Sequence, residues 1–248
     1  MKRFALGSLA LVASLAFAQP IDDKPKPLSF RAEARVEVDA TGKLVKVEAA
    51  QDLPEGVQDY IEQQLSRWQY RRRLGEQASG IAATWVKLGV CAVPAANGSY
   101  SMGLAFEGNG PRLQGGQSWF VTEGVANAVG RHRYEGEAKV HFVINADGSA
   151  RLESIEGLKG PGRKDIEVET KLWISRLKFD TETLDGRPVA TSAVLPIVFR
   201  TSPRKDDQAR RREEALQSSQ CKMASMAADP AQSSSVAFDS DVGIIPSS

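Results

Sequence analysis

Apolar and charged residues alternate strictly over residues 30–38. Phe30, Ala32, Ala34, Val36 and Val38 fall on one face, and Arg31, Glu33, Arg35 and Glu37 on the other. A period of two is the mark of a half-buried β-strand. Asp39-Ala40-Thr41-Gly42 reads as a turn with glycine at a positive φ, and residues 43–48 return as a second strand. After Asp52-Leu53-Pro54-Glu55 the period lengthens. Val57, Ile61, Leu65 and Trp68 recur at helical spacing with Tyr60 beside them, and Pro54 suits the first turn of such a helix. The helix is expected to end in Arg67-Trp68-Gln69-Tyr70-Arg71. A polar loop carrying Gly75 and Gly80 then delivers a third strand over residues 81–90, so the unit reads strand, strand, helix, strand.

The pattern recurs about a hundred residues later. Ala138-Lys139-Val140-His141-Phe142-Val143-Ile144 is the opening strand, and Asn145-Ala146-Asp147-Gly148 stands where Asp39-Ala40-Thr41-Gly42 stood. Ile166, Thr170, Ile174 and Leu177 repeat the spacing of Val57, Ile61, Leu65 and Trp68. Ile174-Ser175-Arg176-Leu177-Lys178-Phe179 lies on Leu65-Ser66-Arg67-Trp68-Gln69-Tyr70. In the last strand Val189-Ala190 is laid on Ile81-Ala82, which puts Val194 and Val198 on Val86 and Val90. The expected fold class is α+β, with two tandem ββαβ units, each a small antiparallel sheet covered by one helix.

The segments outside the repeat complete the organisation. Residues 1–18 combine a basic Met1-Lys2-Arg3, an apolar run and Ala16-Phe17-Ala18, which reads as a secretory signal peptide cleaved after Ala18; an uncleaved inner-membrane anchor is the alternative. Residues 19–29 are a short proline-containing lead-in. The first unit spans 30–91 and the second 137–201. Residues 92–136 form a Gly/Ser-rich connection with a candidate strand at 99–106 and a candidate short helix within 119–129. Residues 202–248 contain a charged candidate helix at 203–217 and a low-complexity tail expected to lack fixed structure, apart from a candidate strand at 235–238.

Charge narrows the functional classes. The chain of 248 residues carries a net charge of +1, and loss of residues 1–18 leaves 30 basic against 31 acidic residues. Neither balance favours nucleic acid or an anionic membrane. Export changes the meaning of the two cysteines, Cys91 and Cys221. An oxidising compartment favours a bridge between them over two free buried thiols. That bridge closes a loop of about 130 residues, worth about 5 kcal/mol in the chain-entropy description.

The residues 36–44 with their Asp-Ala-Thr-Gly turn, followed by Arg67-Trp68-Gln69-Tyr70, resemble the carboxy-terminal domain of the TonB family. Gly186-Arg187-Pro188-Val189 is similar to that family's Gly-x-Pro-Val loop, and residues 140–148 to its opening strand and turn. The resemblance covers about half of the chain. It implies a periplasmic domain, related to transmembrane transport, that grips an outer-membrane TonB-dependent receptor. There an edge strand takes up an extended segment of the receptor by β-augmentation. Carried onto this chain, the partner-binding residues are Trp85, Val86, Lys87 and Leu88 in the first unit and Val194, Leu195 and Ile197 in the second. Pro196 removes one ladder donor and marks an edge or a bulge. An energy transducer of that family also needs an inner-membrane anchor and a long proline-rich linker, and neither is read here. A structural or interaction protein of the envelope, with no part in energy transduction, is the second reading.

Catalytic chemistry has little to stand on. His141 alternates with Val140 and Phe142 and is expected on the outer strand face, while His132 is expected in a solvated loop. Two separated histidines do not make a zinc site. No catalytic residue, cofactor, metal or small-molecule substrate is assigned. Arg71-Arg72-Arg73 and Arg210-Arg211-Arg212 read as solvated faces among acids. Trp85, opposite Val86 and Leu88 in the pleat, is expected to be exposed as a partner contact.

Overall fold

The structure is a computed structural model that describes residues 28–73, 79–94, 100–115, 119, 121–199 and 236–246. It is a mixed α+β protein, mostly strand, with three helices and antiparallel sheets among the described residues. In chain order the first half contains β1 (Leu28–Val38), β2 (Leu44–Ala49), α1 (Glu55–Leu65), β3 (Gln69–Arg72), β4 (Ala82–Pro94), β5 (Tyr100–Gly110) and β6 (Arg112–Leu113). The second half contains α2 (Glu123–His132), β7 (Gly136–Ile144), β8 (Ala150–Glu156), α3 (Arg163–Arg176), β9 (Phe179–Asp180), β10 (Thr183–Leu184), β11 (Arg187–Pro188), β12 (Thr191–Phe199), β13 (Ala237–Phe238) and β14 (Val242–Ile245). The candidate signal segment 1–18 and the candidate helix 203–217 lie outside the described residues.

The alternation that predicts β1 is the alternation that buries it. Ala34, Val36 and Val38 are fully buried, and Arg31, Glu33, Arg35 and Glu37 lie on the other face. β1 pairs with β2 on one side and β4 on the other; β7 pairs with β8 on one side and β12 on the other. Ile61 and Leu65 of α1 close the first core with Trp68. Ile166, Trp173 and Ile174 of α3 close the second, together with Thr170.

The two hairpin turns meet the same need with glycine. Gly42 has φ +86° and Gly148 φ +78°, and a Cβ would come within 2.7 Å of the Tyr70 carbonyl oxygen in one and 2.3 Å of the Phe179 carbonyl oxygen in the other. The expected aromatic helix end is different in detail. α1 stops at Leu65, Ser66 to Trp68 form a turn, and Tyr70 belongs to strand β3, where its hydroxyl donates to the Leu65 carbonyl at 2.7 Å.

The register of the last strand is corrected by one residue. β12 buries Ala193, Leu195, Ile197 and Phe199 and turns Val198 to solvent, with Val194 half-buried. Ala34 faces Val86 in the first sheet, and Val140 faces Leu195 in the second. Leu195, not Val194, therefore stands where Val86 stands. A slip of one residue exchanges the two faces of a strand, so the difference decides which side chains reach the core. With this correction the offset between the halves is the same from Val57/Ile166 through Leu65/Ile174 to Val86/Leu195.

The two halves are also stitched together. β10 extends the first sheet by pairing with β4, and β6 pairs with β9. The tail is ordered over 236–246: β13, which falls within the candidate strand at 235–238, pairs with β12, and β14, in a stretch expected to lack fixed structure, pairs with β3. Residues 100–106 of the candidate strand at 99–106 are found within β5, residue 99 lying outside the described residues, and the candidate helix within 119–129 is found as α2, starting later, at Glu123.

Candidate partner-binding edge

β4 is not an edge. β1 pairs along one side of it, and β10 and β5 cover the other, β5 from Trp85↔Gly110 to Pro94↔Tyr100. Trp85, Val86, Lys87 and Leu88 each have a strand partner on both sides, so none of them lies at a sheet edge. The candidate strand at 99–106 is what closes this edge; its glycines hid how far it runs. Val86 and Leu88 are fully buried. Trp85, expected to be exposed, is half-buried beneath the Arg112 guanidinium, 3.8 Å from the ring centre. Arg112 is held there by Asp180, to which its Nε donates at 2.7 Å.

Lys87 sits at a bulge where the β4–β5 register shifts, its ammonium 4.2 Å above the Phe238 ring. Glu33, Glu107, Leu113 and Trp119 share with it a cavity of about 230 Å³. Burial lowers the Lys87 amine to about 8, against the opposing pull of Glu33, Glu107 and Glu182. Burial likewise raises the Glu33 carboxyl, against the charges of Lys87 and Arg112. A second, larger hollow of about 470 Å³ lies between Arg35, Trp85 and Arg112 on one side and Asp147 and Asp180 on the other.

β12 is an edge over part of its length. β13 occupies its outer side at Ala193 and Val194, and the Asp239 amide donates to the Ser192 carbonyl at 2.9 Å. Beyond Val194 no strand among the described residues covers that side. Because Ser192 directs its carbonyl outward, alternation directs the backbone groups of Val194, Pro196 and Val198 outward as well, and those of Leu195 and Ile197 towards β7. Pro196 is thus tolerated: the donor it lacks would have faced the open edge, not the β7 ladder. Leu195 and Ile197 are buried in the second core, so neither their side chains nor their backbones meet a partner. Among the described residues the open edge consists of the Pro196 carbonyl and the Val198 amide and carbonyl, with Val198 53% exposed. Val198 was missed as an edge residue because the one-residue slip turned it inward. The buried Phe199 at the strand end is the signal that would have found it.

The other chemically suggestive residues take structural places. His132 closes α2 and its Nε2 lies 2.8 Å from an Asp165 carboxylate oxygen, which holds that carboxyl below its usual range. It is thus a link between α2 and α3, not a loop residue. His141 is on the outer strand face, 3.3 Å from Glu156. Cys91 is disulfide-bonded and buried; the expected partner Cys221 lies outside the described residues. No group of three metal-ligating side chains is found among the described residues, and no described helix is long and apolar enough to cross a membrane. Comparison of the chain with family models, curated proteins and solved structures finds no match.

Proposed function

We propose that the chain is an exported, non-catalytic binding protein built from two TonB-like ββαβ units, and that it grips an extended segment of an outer-membrane transporter along the open end of β12. The observation that carries the reading is the paired strand order β2-β1-β4 and β8-β7-β12, each with a helix on one face and a turn glycine pressed on the equivalent carbonyl. The uninterrupted offset from helix to last strand supports a duplication. The partly open edge of β12 supplies what β-augmentation needs, a row of outward backbone groups beside exposed side chains.

Pro196 and the covering of β4 by β5 favour the second reading in one respect. Both blunt edges, as proteins do when pairing is to be restricted. On that reading the chain is an interaction protein of the envelope with no part in energy transduction.

The test is affinity capture from detergent-solubilised envelopes with the full exported chain and its Val198→Pro variant. The variant removes the outward donor and leaves the β7 ladder intact. A transporter retained by the parent and lost by the variant supports transport-linked binding. Absence of any such transporter overturns it. Mass spectrometry of the mature amino terminus tests export: a chain starting at Gln19 is expected, and retention of Met1 revives the anchored alternative.

A further inference from the structure

The tail segment 236–246 is held as an extended peptide is held. It adds a short strand to β12 and a longer one to β3, two augmentations by one stretch of chain. Between them its side chains enter separate receptors. Phe238 lies over the Lys87 ammonium at 4.2 Å and against Trp119 at 6.3 Å between ring centres. Gly110 makes room for that ring, since a Cβ there would stand 2.5 Å from it. Asp239 pairs with Arg73. Asp241 accepts from Nε of Arg72 at 2.8 Å, and the Arg72 side chain is 1% exposed. Asn109 donates to the Ser240 hydroxyl at 3.0 Å and to the Val242 carbonyl at 2.7 Å. Val242 itself is buried.

We propose that this groove is a peptide-binding site, that its ligand is an extended segment of another protein with an aromatic residue followed by carboxylates one and three positions later and an apolar residue after them, and that the chain's own tail is its resident occupant. Three features argue for a site and not merely a packed tail. The anchors come from β3, β4, β5 and β12 together with Trp119, so the groove belongs to the body of the protein and not to the tail's sequence neighbours. The recognition alternates backbone pairing with side-chain pockets, the division of labour by which strand-addition sites gain affinity and selectivity. The cavity of about 230 Å³ beside Lys87, Glu107, Trp119 and Phe238 remains open next to the ring, so an indole would be taken as well as a phenyl. The body presents cations, Arg72 and Arg73, where the ligand carries acids, which selects against a neutral or basic segment.

This deepens the reading above, because it rests on β12 as an acceptor strand, but the two fail separately: a transporter can be captured at Val198 whatever occupies the groove. The resident is covalently attached, so its binding is intramolecular and a free peptide competes poorly with it. The experiment therefore uses the full exported chain with the resident weakened, in two variants, Phe238→Ala and Asp239→Lys. The probe is a fluorescent synthetic peptide with the sequence of residues 236–246, followed by anisotropy. Either variant that keeps the parent's circular dichroism is expected to bind it at least about tenfold more tightly than the parent does. The same peptide with both aspartates changed to asparagine is expected to lose about tenfold or more. Equal, weak binding to parent and variants overturns the proposal, as does indifference to the two aspartates.

Discussion

Asp241→Ala sets two physical outcomes against each other. In the parent, Arg72 is enclosed and directs Nε and Nη2 at one oxygen of Asp241 and Nη1 at the Gly80 carbonyl, 3.0 Å away. Removing the carboxylate while Arg72 stays enclosed orphans a buried guanidinium, which costs about 3–5 kcal/mol. The chain has a cheaper response, because release of β14 from β3 admits water to Arg72. What that release gives up is small. Burial of Val242 is worth about 2 kcal/mol and each ladder bond about 1 kcal/mol, opposed by about 1–2 kcal/mol per residue of ordering entropy. The penalty should therefore fall on the tail alone. Native-state hydrogen exchange separates the cases. The Arg73 amide donates to the Asp241 carbonyl at 2.7 Å, so alternation points the Gly243 amide into the same ladder. Its exchange is expected to rise about a hundredfold or more, while the Val36 amide, directed at β4, changes less than about tenfold. An equal rise at both positions would refute the reasoning, because the tail would then be part of the cooperative core. No change at Gly243 would refute it too, because Arg72 would then be indifferent to its partner.

Three further outcomes follow from single positions. Lys87 holds its proton less firmly in the folded chain, at about 8 against an ordinary 10.5, so the unfolded chain binds more protons between those values and stability rises with pH across that window. The rise is at most about 3 kcal/mol, read from urea denaturation at pH 7.5 and 10, and Lys87→Met should flatten it. Gly148→Ala forces a side chain into a positive φ and against the Phe179 carbonyl, and should lower stability by about 2 kcal/mol or more in thermal melts. Thr170 is fully buried with a hydroxyl that has no hydrogen-bond partner among the described residues, so Thr170→Val should leave stability unchanged or raise it by about 1 kcal/mol, measured by chemical denaturation.

The parts of the fold legible from sequence are those governed by local periodicity. β1, the two turns and the helix stripes each carry their signal within about ten residues, and β7 and α3 were legible in the same way. The last strand was legible as a strand but not in register. Val189-Ala190 looks like Ile81-Ala82, yet the cross-strand partner of Val140 sets the face, and that partner lies more than fifty residues away. The closing of β4 by β5 was half-visible: the apolar alternation of 102–106 is there, but Gly103, Gly108 and Gly110 interrupt it. Of the tail strands, β13 falls within the candidate strand at 235–238, and β14 was illegible. β13 and β14 are short, stand among serines and small residues, and owe their order to Arg72, Asn109 and Trp119, which no local pattern connects to them. The candidate edge suffered for the same reason, since whether a strand is an edge depends on what the rest of the chain lays beside it.

The central claim, that β12 offers an open acceptor edge to a partner, is tested most directly by amide exchange at Val198 in the full chain, alone and with the extended segment of a captured transporter. Fast exchange in the free chain and strong slowing in the complex, with Leu195 and Ile197 slow in both, is the expected result. A Val198 amide already slow in the free chain, or unchanged by the partner, would contradict it.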